Sequence, residues 1–188
     1  MQYFYKFILY LFGWKLTTPF PYHCKRGVLI IAPHTSAWDF VLGICVRGAL
    51  HLTHVKYLGK EELFKGPFGF IFKWFGGTPV NRHSSHNMVD QVVERFKQNP
   101  EFIIALSPEG TRKKVEKLRT GFYYIAKKAQ VPIIMGFFDF SKKEYGFTEP
   151  FLTSDNEQED FKKIVLYYQN KVGKIPEFGL QHLANYYS

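Results

Sequence analysis

A chain of 188 residues with 25 Lys and Arg against 16 Asp and Glu carries a formal charge of +9, and its 20 Phe, 12 Tyr and 3 Trp make it heavily aromatic as well as basic. That pairing suits an anionic surface; with no aromatic-basic ribonucleoprotein motif in the sequence, nucleic acid is set aside in favour of a membrane lipid surface. Cys24 and Cys45 offer neither a disulfide framework nor a CxxC spacing, which fits a reducing compartment, and without linkers or repeats residues 1–188 are expected to form one domain with a sizeable core.

The first segment, Tyr3 to Trp14, is apolar nearly all round a helix and is interrupted by Lys6 and Gly13. A dozen helical residues rise about 18 Å, short of a hydrocarbon core of about 30 Å, so the segment should not span a bilayer. A thin basic region and no small-x-small site before Pro19 and Pro21 argue against a signal peptide. Residues 1–18 are expected to lie in or dip into one leaflet, with Tyr and Trp at headgroup level. The alternative is an N-terminal helix packed on the protein's own core.

From Val28 a β-branched and aliphatic run reads as a buried strand that stops at Pro33, and His34 and Asp39 follow at once. Ligands of open α/β sheets collect beyond strand C-terminal ends, which places chemistry at this junction. Residues five apart on a regular helix are separated by about 140° of arc, so His34 and Asp39 can meet only if a turn precedes the helix. Thr35, Ser36 and Asp39 are the residue types that cap such a turn. A carboxylate on one imidazole nitrogen leaves the other free to accept a proton, which is the base half of a triad without its serine.

Phe40 to Leu50 continues as a helix, with His51 and His54 near its end; neither has a Glu or Cys at zincin-like spacing, and no metal role is assigned to them. A short strand over His54 to Leu58 precedes a helix begun at Glu61, broken at Gly66-Pro67 and resumed as the apolar run Phe70 to Phe75. That run either packs inside or walls a groove for an acyl chain. Gly76 to Arg82 then gives a glycine turn, a short strand and a cation suited to phosphate oxygens. An amphipathic helix over His86 to Gln98 and a strand over Phe102 to Leu106 follow.

The strand ends in a second polar cluster, Ser107 to Arg112, in which Glu109 can accept from a polyol and Arg112 can meet a phosphate; a structural salt bridge or turn is the other reading. Beyond it come a basic loop from Lys113 to Arg119, a helix from Gly121 to Lys128 and a buried strand from Val131 to Phe138, closed by Asp139 as a cap or Lys partner. Tyr145 to Phe151 reads as a hairpin and Asp160 to Lys171 as a final helix. The last 15 residues carry no readable chemistry.

Four blocks in this order resemble the lysophosphatidic acid acyltransferase branch of the glycerolipid acyltransferase family, over about residues 28–138. His34 to Asp39 matches its HxxxxD, Lys60 to Arg82 its long second motif, Glu109 to Arg112 its EGTR, and Val131-Pro132-Ile133 the start of its VPxxP. The resemblance implies an α/β fold with a mostly parallel central sheet flanked by helices. It implies an acyl thioester donor carried by acyl carrier protein or coenzyme A and a lysophospholipid acceptor in the membrane; no bound cofactor is expected, and no metal, because His34 and Asp39 lack a third ligand at recognisable spacing. It implies His34 as general base oriented by Asp39, with Lys60, Arg82, Glu109, Gly110, Thr111 and Arg112 around the acceptor's glycerol phosphate. The expected setting is the cytoplasmic face of the inner membrane.

Met135 replaces the second Pro of VPxxP, Lys113 follows EGTR where a small hydroxyl residue is usual, and Asn81 precedes Arg82 where Asp is common. The reading is therefore acyl transfer to the free hydroxyl of a lysophospholipid, most simply 1-acylglycerol-3-phosphate, with a lyso-aminolipid acceptor as the alternative. From a different class, a basic membrane-binding module without catalysis would fit the charge and aromatics but leaves an oriented base unused.

Overall fold

The computed structural model of the protein describes residues 1–60, 64–67, 69–80 and 88–186, except the side chains of Lys60, Val80 and Asn185. Its centre is a sheet of seven strands: β1 (Lys15–Thr18), β2 (Arg26–Ile31), β3 (Val55–Lys60), β4 (Gly77–Val80), β5 (Phe102–Leu106), β6 (Ile133–Asp139) and β7 (Glu144–Phe147), in the spatial order β1-β7-β6-β2-β5-β3-β4. Strands β6, β2, β5, β3 and β4 run parallel; β7 returns antiparallel on β6, and β1 pairs parallel with β7.

Parallel strands need both faces covered, and the alternation of side chains along β2, β5 and β6 does this. Val28, Ile30, Ile104, Ile133 and Met135 enter one apolar cluster, whereas Leu29, Ile103, Ile134 and Phe138 enter the other. The first cluster is closed by α4 (Met88–Gln98), α5 (Gly121–Ala129) and α6 (Glu157–Tyr168), through Val92, Phe96, Phe122, Ile125, Ile164 and Tyr168. The second is closed by α1 (Gln2–Leu11) and α2 (Trp38–Ala49), through Leu9, Leu42, Val46 and Ala49. Helix α3 (Gly69–Trp74) leads into β4.

This arrangement sets the site. The helix leaving β2 covers one face of the sheet and the helix leaving β5, its hydrogen-bonded neighbour, covers the other. Between two such strands the chain diverges and leaves a crevice at their C-terminal ends, the position where open parallel sheets bind ligands.

Several elements differ from the sequence reading. Lys15–Thr18 is a strand paired with β7, so residues 1–18 hold a helix and a strand rather than one segment. The antiparallel hairpin joins β6 to β7 rather than lying within Tyr145 to Phe151. The final helix starts at Glu157, where Asn156 caps it by accepting from the Glu159 N–H at 3.2 Å. Helix α1 packs on the protein along one side only. Its Tyr5 and Leu9 pack towards α2, while Tyr3, Phe4, Phe7, Tyr10 and Leu11 stay exposed. No helix among the described residues is long and apolar enough to cross a membrane.

Candidate active site

Ile30 of β2 lies opposite Leu106 of β5, so the turns after these strands leave the sheet side by side although 75 residues separate them in sequence. After the cis Ala32–Pro33 bond the chain turns through His34 to Ala37 and enters α2. Asp39, in the first turn of that helix, is buried. Its Oδ2 accepts from the backbone N–H groups of Thr35 and Ser36, each at 2.8 Å, and lies 3.1 Å from Nδ1 of His34. The carboxylate thus closes the turn and holds the imidazole with one oxygen; Oδ1 is buried with no hydrogen-bond partner among the described residues. With Nδ1 engaged as a donor, Nε2 is the nitrogen left to take a proton. The His34 side chain is 28% exposed and lines a groove.

The second turn reaches across to the first. Glu109 is 1% exposed, and its Oε1 accepts from the His34 backbone N–H at 2.6 Å while Oε2 accepts from the Ser107 hydroxyl at 2.7 Å. Burial pushes its carboxyl above the usual carboxylate range, and the bonds from His34 and Ser107 offset part of that rise. The sequence reading aimed this carboxylate at a polyol; in the fold each of its oxygens accepts a bond from the protein and the side chain is buried. The following residue, Gly110, has φ +67°, a left-handed conformation that disfavours any side chain, and its open face lets Arg119 lie against it.

The groove holds about 1000 Å³ and joins polar and apolar parts. Its polar edge carries His34, Asp39, Ser107, Thr111, Arg112 and Arg119; its walls include Phe40, Ile44, Leu58 and Phe75. Arg112 and Arg119 are both exposed, so their guanidinium groups keep the hydration and reach needed to meet an anion. Of the apolar run Phe70 to Phe75, Phe70 and Trp74 are exposed and Phe75 lines the groove, so the run is not core packing. The structure therefore brings together His34, Asp39, Glu109, Gly110, Thr111 and Arg112. The Lys60 side chain and all of Arg82 lie outside the described residues. Among the described residues no three His, Cys, Asp or Glu side chains are grouped to hold a metal ion.

The family model described as Acyltransferase matches residues 15–135, about two thirds of the chain and every described part of the groove's polar edge. The chain belongs to this acyltransferase family. Among solved structures, the acyltransferase's fold is similar to that of the 1-acyl-sn-glycerophosphate (LPA) acyltransferase PlsC from Thermotoga maritima, with a TM-score of 0.59 and 18% identity over 97% of this chain and 77% of that one. A comparison with curated protein sequences gives no match.

Two features of this acyltransferase's site escaped the sequence. Arg119 was read only as the end of a basic loop, yet the buried Leu118 beside it and the Arg119 N–H donated to Pro108 O at 2.8 Å fold it back to the groove. Thr35 was read as a turn former, but its hydroxyl is a buried acceptor for a distant N–H. The first left a trace in the sequence, an apolar residue inside a charged loop; the second left none.

Proposed function

We propose that the protein transfers a fatty acyl group from an acyl thioester to the free hydroxyl of a lysophospholipid, most simply 1-acylglycerol-3-phosphate. The observation that carries this reading is the His34 Nδ1 to Asp39 Oδ2 contact of 3.1 Å at the edge of a groove that has apolar walls and two exposed arginines. His34 takes the proton from the acceptor hydroxyl as its oxygen attacks the thioester carbonyl; a C–O bond forms, the C–S bond breaks, and the proton passes to the departing thiolate. A positioned base of this kind contributes about 10² to 10⁴ in rate. Asp39 fixes the ring and offsets the charge that develops on it.

Arg112 and Arg119 suit the phosphate of the acceptor, with Thr111 as a neighbouring hydroxyl, and the apolar walls suit the acyl chain of the donor. Acyl carrier protein or coenzyme A would present the thioester. The exposed Tyr3, Phe7 and Tyr10, on one side of a helix too short to span, support work at a membrane surface, for which we propose the cytoplasmic face of the inner membrane. The likeness to a protein described as an LPA acyltransferase agrees with the acceptor class.

The test is an acceptor panel. Purified protein, an acyl-coenzyme A or acyl carrier protein donor, and lysophosphatidate, a neutral lysolipid and a lyso-aminolipid are incubated separately, and products are scored by mass spectrometry. Diacyl product from lysophosphatidate is expected. Product from the aminolipid alone would replace the acceptor assignment, and liposome binding without turnover on any acceptor would overturn the catalytic one.

A further inference from the structure

We propose that the C-terminal segment from Val172 to Ile175 positions the catalytic turn through Thr35, an inference that rests on the acyl-transfer reading above. Thr35 stands between His34 and Asp39, is 2% exposed, and is held on both sides. Its N–H donates to Asp39 Oδ2 at 2.8 Å, and its Oγ1 accepts from the Ile175 N–H at 3.0 Å. A shift of Thr35 therefore moves the oxygen that holds the imidazole.

The segment is itself anchored to the sheet beneath the turn. At the end of α6 the buried Tyr168 hydroxyl lies 2.8 Å from Ile30 O and 3.1 Å from Gly136 O, bridging β2 and β6. Next, the Phe140 N–H donates to Val172 O at 2.9 Å. Gly173 then passes so close that a Cβ there would sit 2.6 Å from Thr35 Oγ1 and 2.7 Å from its Cγ2, a contact real side chains do not make. The Thr35 side chain is short and buried, and moving away would cost its bond to Ile175. Further on, Leu180 and Leu183 are buried in the core, and His182 Nε2 lies 2.7 Å from Val115 O in the basic loop. The last stretch of chain thus touches both loops of the site.

All of these C-terminal residues fall beyond residue 135, where the family match ends. Thr35 is a positioning residue: it acts through Asp39 and His34 and touches no reacting atom. Its effect should appear in turnover more than in binding, because misplacement of a catalytic group by about 1 Å costs on the order of 100-fold in rate while the groove walls are untouched.

The experiment compares Thr35→Val, Thr35→Ser, Gly173→Ala and His34→Ala with wild type. Steady-state kinetics with acyl-coenzyme A and lysophosphatidate are measured beside thermal unfolding. Thr35→Val keeps the shape but offers Ile175 no acceptor, and Gly173→Ala pushes on the same hydroxyl. Both should lower kcat by about 10- to 100-fold with KM for either substrate within about 3-fold, while Thr35→Ser, which keeps the oxygen, recovers most of the rate. An inactive His34→Ala beside a Thr35→Val that turns over like wild type would overturn the brace alone. Thr35→Ser falling as far as Thr35→Val, in step with a common loss of melting temperature, would reduce Thr35 to a folding contact. A fully active His34→Ala would instead overturn the acyl-transfer mechanism on which the brace rests.

Discussion

Replacing Glu109 separates an inward strut from a carboxylate that grips the substrate. Glu109→Ala leaves the part-buried His34 N–H without its acceptor and opens a void beside Ser107. The orphaned donor costs about 1–3 kcal/mol and the void adds to it, so the total is roughly 3 kcal/mol. For a chain of this length that lowers Tm by roughly 6–12 °C. Because the same N–H belongs to the proposed base, kcat should fall as well.

Glu109→Gln is the discriminating variant. Its amide oxygen can accept from His34, and its amide N–H can donate to the Ser107 oxygen once that hydroxyl turns its proton away. The loss of charge assistance is worth at most about 1 kcal/mol, so kcat should stay within about 5-fold of wild type. The Glu109 carboxyl titrates above the usual range because it is buried, so the folded protein retains a proton that the unfolded chain has released. The associated stability is complete below the ordinary carboxylate range and is lost as pH rises to the folded value. Glu109→Gln removes that dependence, so its Tm should gain on wild type as pH rises through that interval. Melting curves against pH, paired with acyltransfer assays of both variants, test this. A Glu109→Gln protein with an unchanged Tm and a kcat down by more than about 100-fold would show that the carboxylate contacts substrate, and the strut argument would be refuted.

Gly48→Ala should prise α1 from α2, because an added Cβ would collide with the Tyr5 ring packed against that glycine. Overpacking costs about 1–3 kcal/mol against a helix-propensity gain of about 1 kcal/mol, so a scanning calorimeter should record a lower Tm; a rise would contradict the packing. Phe7→Glu with Tyr10→Glu changes only exposed side chains, so Tm should hold while sedimentation with anionic vesicles falls by about 10-fold or more; unchanged sedimentation would remove α1 from membrane contact.

The strand ends that form the site were legible because each follows an unbroken apolar run: Val28 to Ile31 before His34, and Phe102 to Leu106 before Ser107. The turn between His34 and Asp39 followed from helical arc alone. What could not be read is direction. Glu109 faces inward because β5 hydrogen-bonds to β2, and that pairing brings its carboxylate to a backbone N–H which no residue type advertises. Lys15–Thr18 has no apolar alternation because the strand is exposed throughout and is held by backbone pairing to β7. The segment after Lys171 was silent for the same reason, since Gly173 matters for the side chain it lacks and Ile175 for its N–H.

The proposed acyl transfer depends on a proton taken by His34. Single-turnover formation of diacyl product, with acyl-coenzyme A and lysophosphatidate pre-bound, measures that step apart from binding and release. His34→Ala should lower this rate by about 10²-fold or more with donor and acceptor still bound. A single-turnover rate equal to wild type would contradict the account.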